Sequence, residues 1–493
     1  MVRMSKIRPL FFTLVLLLLP GFASAADNWI EVRSPHFTVA TNSGEKDARK
    51  IADQFEQIRG LFQRVFTTLR VDAGQPILIL AAKNENTIKE FLPEYWEVKG
   101  RVHLAGLYQP GQDKDYVVMR LNSEGDNPYH TLYHEYTHAL LRLNYHDLPI
   151  WLNEGLAEFF GNTTLGDKEI TMGTFGPGQL YVLNQNKLLP IETLFQVDQG
   201  SPYYNEQDRA SVFYAQSWAV VHYFLMDPEA RQKQYLKRFL SAFDKSGNQI
   251  DAAREALGDL KEFGRRIDAY ARRSSLNVSV LKNSAESTGK NYAVRNLSPG
   301  EVLALRGDFF AHHNRLDRAK PVLEEAVKLE PNLAFAHESL GYYHYRLREV
   351  KEADKEVQEA LRLGATDFIA PYYHGLFLFQ SDFGNADAVK EATDSLLKAT
   401  QLNPRFAPAY DALANAYSRF PETRNQALDA AAKAAQLDPA TLWYTAHLIQ
   451  LLLNGNQVEQ ARPIAERLAR AARSPADQKM AQDLLRRVKE RQD

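Results

Sequence analysis

The segment Tyr133–Phe160, YHEYTHALLRLNYHDLPIWLNEGLAEFF, places two histidines four residues apart and then two glutamates four residues apart. The histidines belong to HEYTH, within a stretch of helical periodicity. Positions i and i+4 lie on one face of a helix, so His134 and His138 can reach one metal ion, with Glu135 beside it. Imidazole suits zinc, and a catalytic zinc takes three protein ligands and keeps one position open for water. The spacing therefore predicts a zinc site.

The third ligand must come from outside this helix. The residues HDLP read as a loop, and WLNEGLAEFF then opens a second helix. Two helices joined by a short loop run antiparallel, which brings Glu154 and Glu158 back over the histidines. One glutamate can bind the metal, and the other can accept a hydrogen bond from the second ring nitrogen of a ligating histidine. The residues alone leave open which glutamate has which role.

The first 25 residues follow the plan of a secretory signal peptide. Arg3, Lys6 and Arg8 precede a short apolar run, and the small residues 23–25 (Ala-Ser-Ala) follow it. This order predicts cleavage after Ala25 and export to a periplasm or to the medium. No later stretch is apolar enough for a membrane span, so none is expected after cleavage.

Composition excludes several classes of protein. The chain has 493 residues, 45% hydrophobic and 24% charged, which is typical of globular protein in two or three domains. The formal net charge is −2 and there is no basic block, so a nucleic-acid partner is not expected. There is no cysteine, which excludes a disulfide framework and a lipidated N-terminal cysteine.

Residues 26–285 predict one α+β domain, with an α/β lobe over 26–128 and a mainly helical lobe over 129–285. Short alternating runs and an apolar octet, QPILILAA, predict strands in the first lobe, and EKDARKIADQFEQIRGLFQRVF predicts an amphipathic helix. KDYVVMRL is expected to be an edge strand against which an extended peptide could pair. GLYQPGQ reads as a turn. The polar, breaker-rich residues 286–299 predict a linker.

The second half of the chain repeats with a period of 34 residues. Gly307, Gly341 and Gly375 are 34 residues apart, and so are Ala319 and Ala353. This is the period of the tetratricopeptide repeat, in which a small residue at the eighth position lets two helices approach closely. We expect about five units over 300–475, a C-terminal helix over 476–493, and an extended surface for a protein partner.

HEYTH followed by WLNEG resembles the gluzincin metallopeptidases, and WLNEGLAEFF is similar to the matching helix of gluzincin aminopeptidases. The whole organisation resembles that of bacterial exported proteins that join a peptidase-MA-like domain to tetratricopeptide repeats. The resemblance implies a zincin-like α+β catalytic domain, with His134, His138 and Glu154 as zinc ligands, Glu135 as general base and Glu158 supporting a ligand. The spacing from His138 to Glu154 is a few residues shorter than in the aminopeptidases. No GxMEN-like segment lies upstream, which weakens an aminopeptidase assignment.

In gluzincins of this type a tyrosine some sixty residues after the ligand glutamate stabilises the oxyanion. Tyr214 lies 60 residues after Glu154 and is the candidate by that resemblance, with Tyr204 and His222 as alternatives. The prediction is therefore an exported zinc endopeptidase whose repeats recruit a protein substrate or partner. Hydrolysis of another amide by the same chemistry stays open. The alternative from a different class is a non-catalytic repeat scaffold that binds peptides and keeps the zincin-like domain for structure.

Overall fold

The computed structural model describes residues 28–72, 74–97, 106–121, 128–145, 147–205, 207–283, 291–382 and 384–491. The predicted signal peptide lies outside these residues. Among the helices that are described, none combines the length and the apolar character that a membrane crossing needs.

A mixed six-stranded sheet forms the core of the N-terminal region. Strands β2, β3 and β5 are parallel to their neighbours in the centre, and the outer pairs are antiparallel. The apolar run ILILAA becomes β3, as expected for a strand that is covered on both faces. The order across the sheet is β4-β5-β3-β2-β1-β9, with β1 (Ile30–Arg33), β2 (Phe37–Thr41), β3 (Ile77–Ala82), β4 (Gly106–Gln109), β5 (Asp115–Arg120) and β9 (Ala293–Asn296).

Each face of this sheet packs against a different half of the chain, because side chains alternate along a strand. Ile79 and Val117 belong to the core shared with the long N-terminal helix and the helical lobe. Leu80 and Val118 point the other way, into the core shared with the repeats. Three helices accompany the sheet: α1 (Glu45–Val65), α2 (Glu85–Phe91) and α3 (Glu94–Glu97).

The residues between β5 and β9 are mainly helical. A small antiparallel sheet of β6 (Thr164–Leu165), β7 (Glu169–Met172) and β8 (Ser279–Lys282) closes this lobe. Its helices are α4 (Pro128–Asn144), α5 (Ile150–Gly161), α6 (Pro177–Gln185), α7 (Ile191–Phe195), α8 (Pro202–Asn205), α9 (Gln207–Met226), α10 (Pro228–Gln232), α11 (Tyr235–Ser246), α12 (Gln249–Leu257) and α13 (Leu260–Ala271).

The C-terminal half is a solenoid of helix pairs with tetratricopeptide-like spacing. A Cβ atom on Gly307 or Gly341 would come within 2.5 Å of the facing Leu323 or Val357, so the repeated glycine lets the two helices of a pair pack closely. The helices are α14 (Pro299–His312), α15 (Leu316–Leu329), α16 (Ala334–Arg346), α17 (Val350–Arg362), α18 (Ile369–Ser381), α19 (Ala386–Leu402), α20 (Ala407–Tyr417), α21 (Arg424–Leu437), α22 (Leu442–Asn454), α23 (Val458–Ala471) and α24 (Pro475–Glu490), with a 3-10 turn at Pro421–Thr423.

Three local expectations differ from the structure. The predicted edge strand KDYVVMRL is β5, which lies between β4 and β3, because strand order depends on contacts that are distant in sequence. GLYQPGQ was expected to be a turn, but its first four residues form β4, the last strand on that side of the described sheet. The segment 286–299, expected to be a linker, contains β9, whose polar residues suit a half-exposed strand at the other edge.

A buried ionic network joins the sheet to the first two repeats. His312 Nε2 lies 2.7 Å from Asp113 Oδ1, with both side chains inaccessible to solvent. Lys114 Nζ lies 3.3 Å from Asp308 Oδ2 and 3.4 Å from Glu338 Oε1. Burial opposes charge on His312 and Asp113, but their attraction lowers the pKa of Asp113, and together with Asp308 it raises the pKa of His312. The sheet and the repeats are therefore not independent modules.

We expect Asp113→Ala to lower the free energy of unfolding by about 3–5 kcal/mol, because it removes the buried carboxylate that pairs with His312 Nε2 at 2.7 Å and leaves Lys114 and His312 with less opposite charge. Urea unfolding followed by circular dichroism measures this. Asp483→Ala is the matched control, since Asp483 pairs with Arg486 at 3.0 Å on the surface and should change stability by about 0.5 kcal/mol or less. Equal effects of the two substitutions would contradict the role of the network.

Candidate metal centre

Helix α4 carries both histidines of HEYTH on its accessible side. Its apolar residues, among them Leu132, Tyr136 and Leu140, are buried in the core of the lobe. His134 and His138 remain partly accessible beside this apolar stripe, with their Nε2 atoms 3.0 Å apart. The helix thus presents two ring nitrogens to one point.

Helix α5 brings the glutamates to the same point. It starts after Pro149 and packs closely on α9, where a Cβ on Gly155 would come within 2.5 Å of the carbonyl oxygen of Ser217. The glycine of WLNEG is therefore needed for this approach. Glu154, just before it, is almost completely buried and points toward α4.

The three predicted ligands converge. Glu154 Oε2 lies 3.5 Å from His134 Nε2 and 3.5 Å from His138 Nε2. One ligand atom from each residue falls within 4.8 Å of the other two, and no other group of three or more potential ligands does so in the described part of the chain. Two imidazole nitrogens and one carboxylate oxygen are a donor set that zinc accepts, so the residues fit the metal.

Each histidine ring has a partner for its other nitrogen. Asn153 Oδ1 lies 3.0 Å from His138 Nδ1, and Glu158 Oε1 lies 3.4 Å from His134 Nδ1, within ion-pair distance but outside hydrogen-bond geometry. A hydrogen bond to the second ring nitrogen, such as that between Asn153 and His138, orients the ring and sets its tautomer. The structure thus places Glu154 against the Nε2 atoms of both histidines and Glu158 behind the ring of His134. Sequence reasoning missed Asn153, although it directly precedes Glu154.

Glu158 is itself held by two residues that sequence reasoning missed. Gln179 Nε2 donates a hydrogen bond to Glu158 Oε2 at 2.5 Å, and His130 Nε2 lies 3.7 Å from the same oxygen. Burial would raise the pKa of Glu158, but His130 and His134 lower it. The sequence could have indicated His130, because it lies four residues before His134 and therefore on the same helix face. No sequence pattern indicates Gln179, because it reaches the site from α6.

The electrostatics of the site favour a cation. Burial would raise the pKa of Glu154, but hydrogen bonds and charge from His134 and His138 hold it at about 2. Burial would lower the pKa of His134, but the glutamates around it raise it to about 9. The carboxylates therefore surround the imidazoles with negative potential, which a bound divalent ion would offset.

Glu135 lies close to His134, His138 and Glu154, since the charges of all three act on its pKa. The backbone of Tyr108 in β4 is also near enough to lower this pKa. Burial raises the pKa of Glu135, more than the charges of His134 and His138 lower it. A raised pKa suits a group that must accept and return a proton near neutral pH.

Two of the three candidate residues lie at the site. Tyr204 donates a hydrogen bond from its hydroxyl to Glu154 Oε1 at 3.1 Å. The ring of Tyr214 lies 6.1 Å from that of Tyr204, and burial together with the charge of Glu154 raises the pKa of Tyr214. The third candidate, His222, is buried elsewhere, with ring nitrogens 2.8 Å from Tyr270 Oη and 3.0 Å from the carbonyl oxygen of Gly173.

The known proteins that are similar to this chain each match about two fifths of it. No family model matches it. Superkiller complex protein 3 of Mus musculus is 26% identical over 212 residues, which are 41% of this chain and 13% of that protein, so the chain spans a small part of that relative's length.

Among solved structures, YrrB, described as a tetratricopeptide-repeat protein with an unusual peptide-binding site, is 19% identical over 37% of this chain and 90% of its own, with a TM-score of 0.31. The pilF protein of Pseudomonas aeruginosa is 22% identical over 39% and 86%, with a TM-score of 0.33.

We expect His134→Ala or Glu154→Ala to abolish zinc binding, because each removes a ligand, and Glu158→Ala to retain zinc with reduced affinity. Elemental mass spectrometry of protein purified without chelators measures the zinc content, with about one zinc per chain expected for the unsubstituted protein. Loss of zinc in Glu158→Ala with retention in Glu154→Ala would reverse the assignment of the two glutamates.

His130→Ala and Gln179→Ala should each weaken zinc binding about tenfold, because both hold the carboxylate that faces His134. Competition with a chromophoric chelator measures the affinity. His344→Ala, which removes a histidine paired with Glu349 in the repeats, is the control and should leave it unchanged. If neither substitution at the site alters the affinity, Glu158 does not depend on these two residues.

Proposed function

We propose that this protein is an exported zinc metallopeptidase, an endopeptidase of the gluzincin type, whose repeats recruit a protein substrate or partner. The observation that carries the proposal is the convergence of His134, His138 and Glu154 on one point with Glu135 beside it. A purely structural zinc would not need a carboxylate base next to an open position. The resemblance of HEYTH and WLNEG to gluzincins supports the same chemistry.

His134, His138 and Glu154 would hold the zinc ion. When bound, zinc supplies Lewis acidity, which polarises a carbonyl oxygen and acidifies water. The carboxylate of Glu135 would take a proton from the attacking water and return it to the leaving amine. Tyr204 would donate its hydroxyl hydrogen to the developing oxyanion, since this hydroxyl already lies 3.1 Å from a ligand oxygen.

The strand β4 supports a peptide as substrate. It is the last strand of the described sheet on the side of α4, and the backbone of its Tyr108 lies near Glu135. An extended peptide could pair with such an edge through backbone hydrogen bonds, which brings its carbonyl groups past the base. The sequence had suggested β5 as the strand that pairs with a peptide. Because β5 is an interior strand, we assign this pairing to β4 instead.

Export is part of the proposal and rests on residues 1–25 alone. Their basic start, apolar run and small residues before position 26 are those of a cleaved signal. A periplasmic location is the simpler expectation, and secretion is the alternative.

Glu135→Gln should keep zinc and lower peptide hydrolysis by about 10²–10⁴-fold, because it removes the base and no ligand. Zinc content and cleavage of fluorescein-labelled, unfolded casein are measured on the same preparations. Glu255→Gln, an exposed glutamate of the same lobe, is the matched control. If the zinc-loaded unsubstituted protein hydrolyses casein no faster than Glu135→Gln, the peptidase proposal is wrong.

Tyr204→Phe should lower kcat by about 10²–10³-fold with zinc content unchanged, because it removes a donor to the oxyanion. Tyr214→Phe should have a smaller effect, since the hydrogen bond to Glu154 comes from Tyr204. Steady-state kinetics on one peptide substrate measures both. A larger loss in Tyr214→Phe would return the role to the residue that the gluzincin resemblance indicates.

The second candidate is a non-catalytic scaffold that binds peptides or proteins through the repeats. The comparisons agree better with this candidate than with a peptidase, because one of the similar structures is described as a tetratricopeptide-repeat protein with an unusual peptide-binding site. In this chain α14 and α16 pack on the sheet, so a partner would use later helices, where Trp443 is 57% exposed. A protein that binds an unfolded chain but hydrolyses nothing in the casein assay would favour the scaffold.

A further inference from the structure

A cavity of about 210 Å³ lies one helical turn beyond the metal ligands, where the two halves of the chain meet. His134, His138 and Arg142 are spaced by four residues, so they follow one face of α4. Ala139, next to His138, lines the cavity, and so does Tyr108, whose backbone lies near enough to Glu135 to lower its pKa. The cavity therefore lies next to the site of the proposed chemistry, on the same helix.

The repeats supply the opposite wall. Asp438, Ala440 and Thr441, in the loop between α21 and α22, line the cavity. This loop is held against the N-terminal region, because Asp438 Oδ1 lies 3.7 Å from Arg70 Nη2 and accepts a hydrogen bond from the backbone N–H of Thr441 at 3.3 Å.

A neighbouring contact keeps the two halves in register. A Cβ on Gly74, whose φ is +83°, would lie 2.1 Å from the carbonyl oxygen of Arg405, so the chain approaches the fourth helix pair more closely than any other residue would allow. Arg405 Nη1 also pairs with Asp72 Oδ2 at 2.9 Å. The wall of the cavity is thus rigidly placed.

The hydrogen-bonding groups of the cavity leave Arg142 for a ligand. Asp115 is buried, and its oxygens accept hydrogen bonds from the hydroxyl of Tyr108 at 2.6 Å, the amide of Gln75 at 2.5 Å and the N–H of Gly111 at 2.9 Å. Asp438 is paired with Arg70. Arg142 is exposed, and within the described part of the chain it forms no ion pair closer than 4 Å. Burial raises the pKa of Asp115, and the charge of Arg142 is among the causes that lower it, so the guanidinium lies near this carboxyl.

We propose that the Arg142 cavity binds a carboxylate of the peptide substrate, from an aspartate or glutamate side chain close to the scissile bond or from a free C-terminus. A guanidinium presents a planar fork of N–H donors that matches a carboxylate. The proposal rests on the proposed peptidase function and adds a substrate class to it. It also gives the repeats a part in specificity, because they form one wall of the cavity.

The test uses the full chain loaded with zinc and a set of internally quenched peptides of one parent sequence. The peptides carry Glu, Gln or Lys at each of the two positions on either side of the scissile bond, with the C-terminus free or amidated. We expect kcat/KM to be at least about tenfold higher for a Glu peptide, or for the free C-terminus, than for its neutral counterpart. A preference that survives amidation identifies the side chain, and one that amidation removes identifies the terminus.

Arg142→Gln should remove this preference with the zinc content unchanged. Thr441→Trp, a substitution in the repeats, should also remove the preference, because the larger side chain fills the cavity. It provides a second test if Arg142→Gln does not fold. Arg486→Gln, an equal change of charge at a side chain that is 66% exposed, is the control and should keep the preference. Active protein with equal kcat/KM for Glu, Gln and Lys peptides, or a preference that persists in Arg142→Gln, overturns the cavity's role alone. Unsubstituted protein that binds no zinc, or cleaves none of the peptides, overturns the proposed function and this role with it.

Discussion

The buried carboxylate of Glu154 is the constraint on which the site depends. It is 6% exposed, and a charge so far from water is stable only with compensating partners. Those partners are His134 and His138 from the facing helix and the hydroxyl of Tyr204. The orientation of α5 against α4 therefore determines whether the charge of Glu154 is compensated. A zinc ion between the three groups would compensate the same charge.

The central sheet couples this site to the repeats. One face of the sheet belongs to the core that contains α4. The other face contacts α14 and α16 through a polar network. In this network Tyr116 hydrogen-bonds to Asp308, and Lys114 pairs with Glu338. The inner faces of these first repeats are thus covered by the chain's own strands. The later repeats approach the same region from the side and wall the cavity beside Arg142.

Much of the architecture could be predicted because it depends on short spacings. A four-residue step places His134 and His138 on one helix face, and a 34-residue period repeats a helix pair around glycines such as Gly307. Strand order could not be predicted in the same way. β4 has only four residues and is followed by a proline and a glycine, so its local sequence reads as a turn, and only pairing with β5 makes it a strand.

The sequence by itself determined the two helices of the site, the residues that can bind a metal and the repeat period, since each follows from helix geometry over a few residues. Tertiary structure decided what surrounds them. Glu154 rather than Glu158 lies against the Nε2 atoms of both histidines, Tyr204 donates a hydrogen bond to Glu154, and Gln179 donates one to Glu158. These contacts depend on how elements far apart in the chain pack against each other. Such packing follows from the burial of whole helix and sheet faces, which a short sequence spacing does not predict.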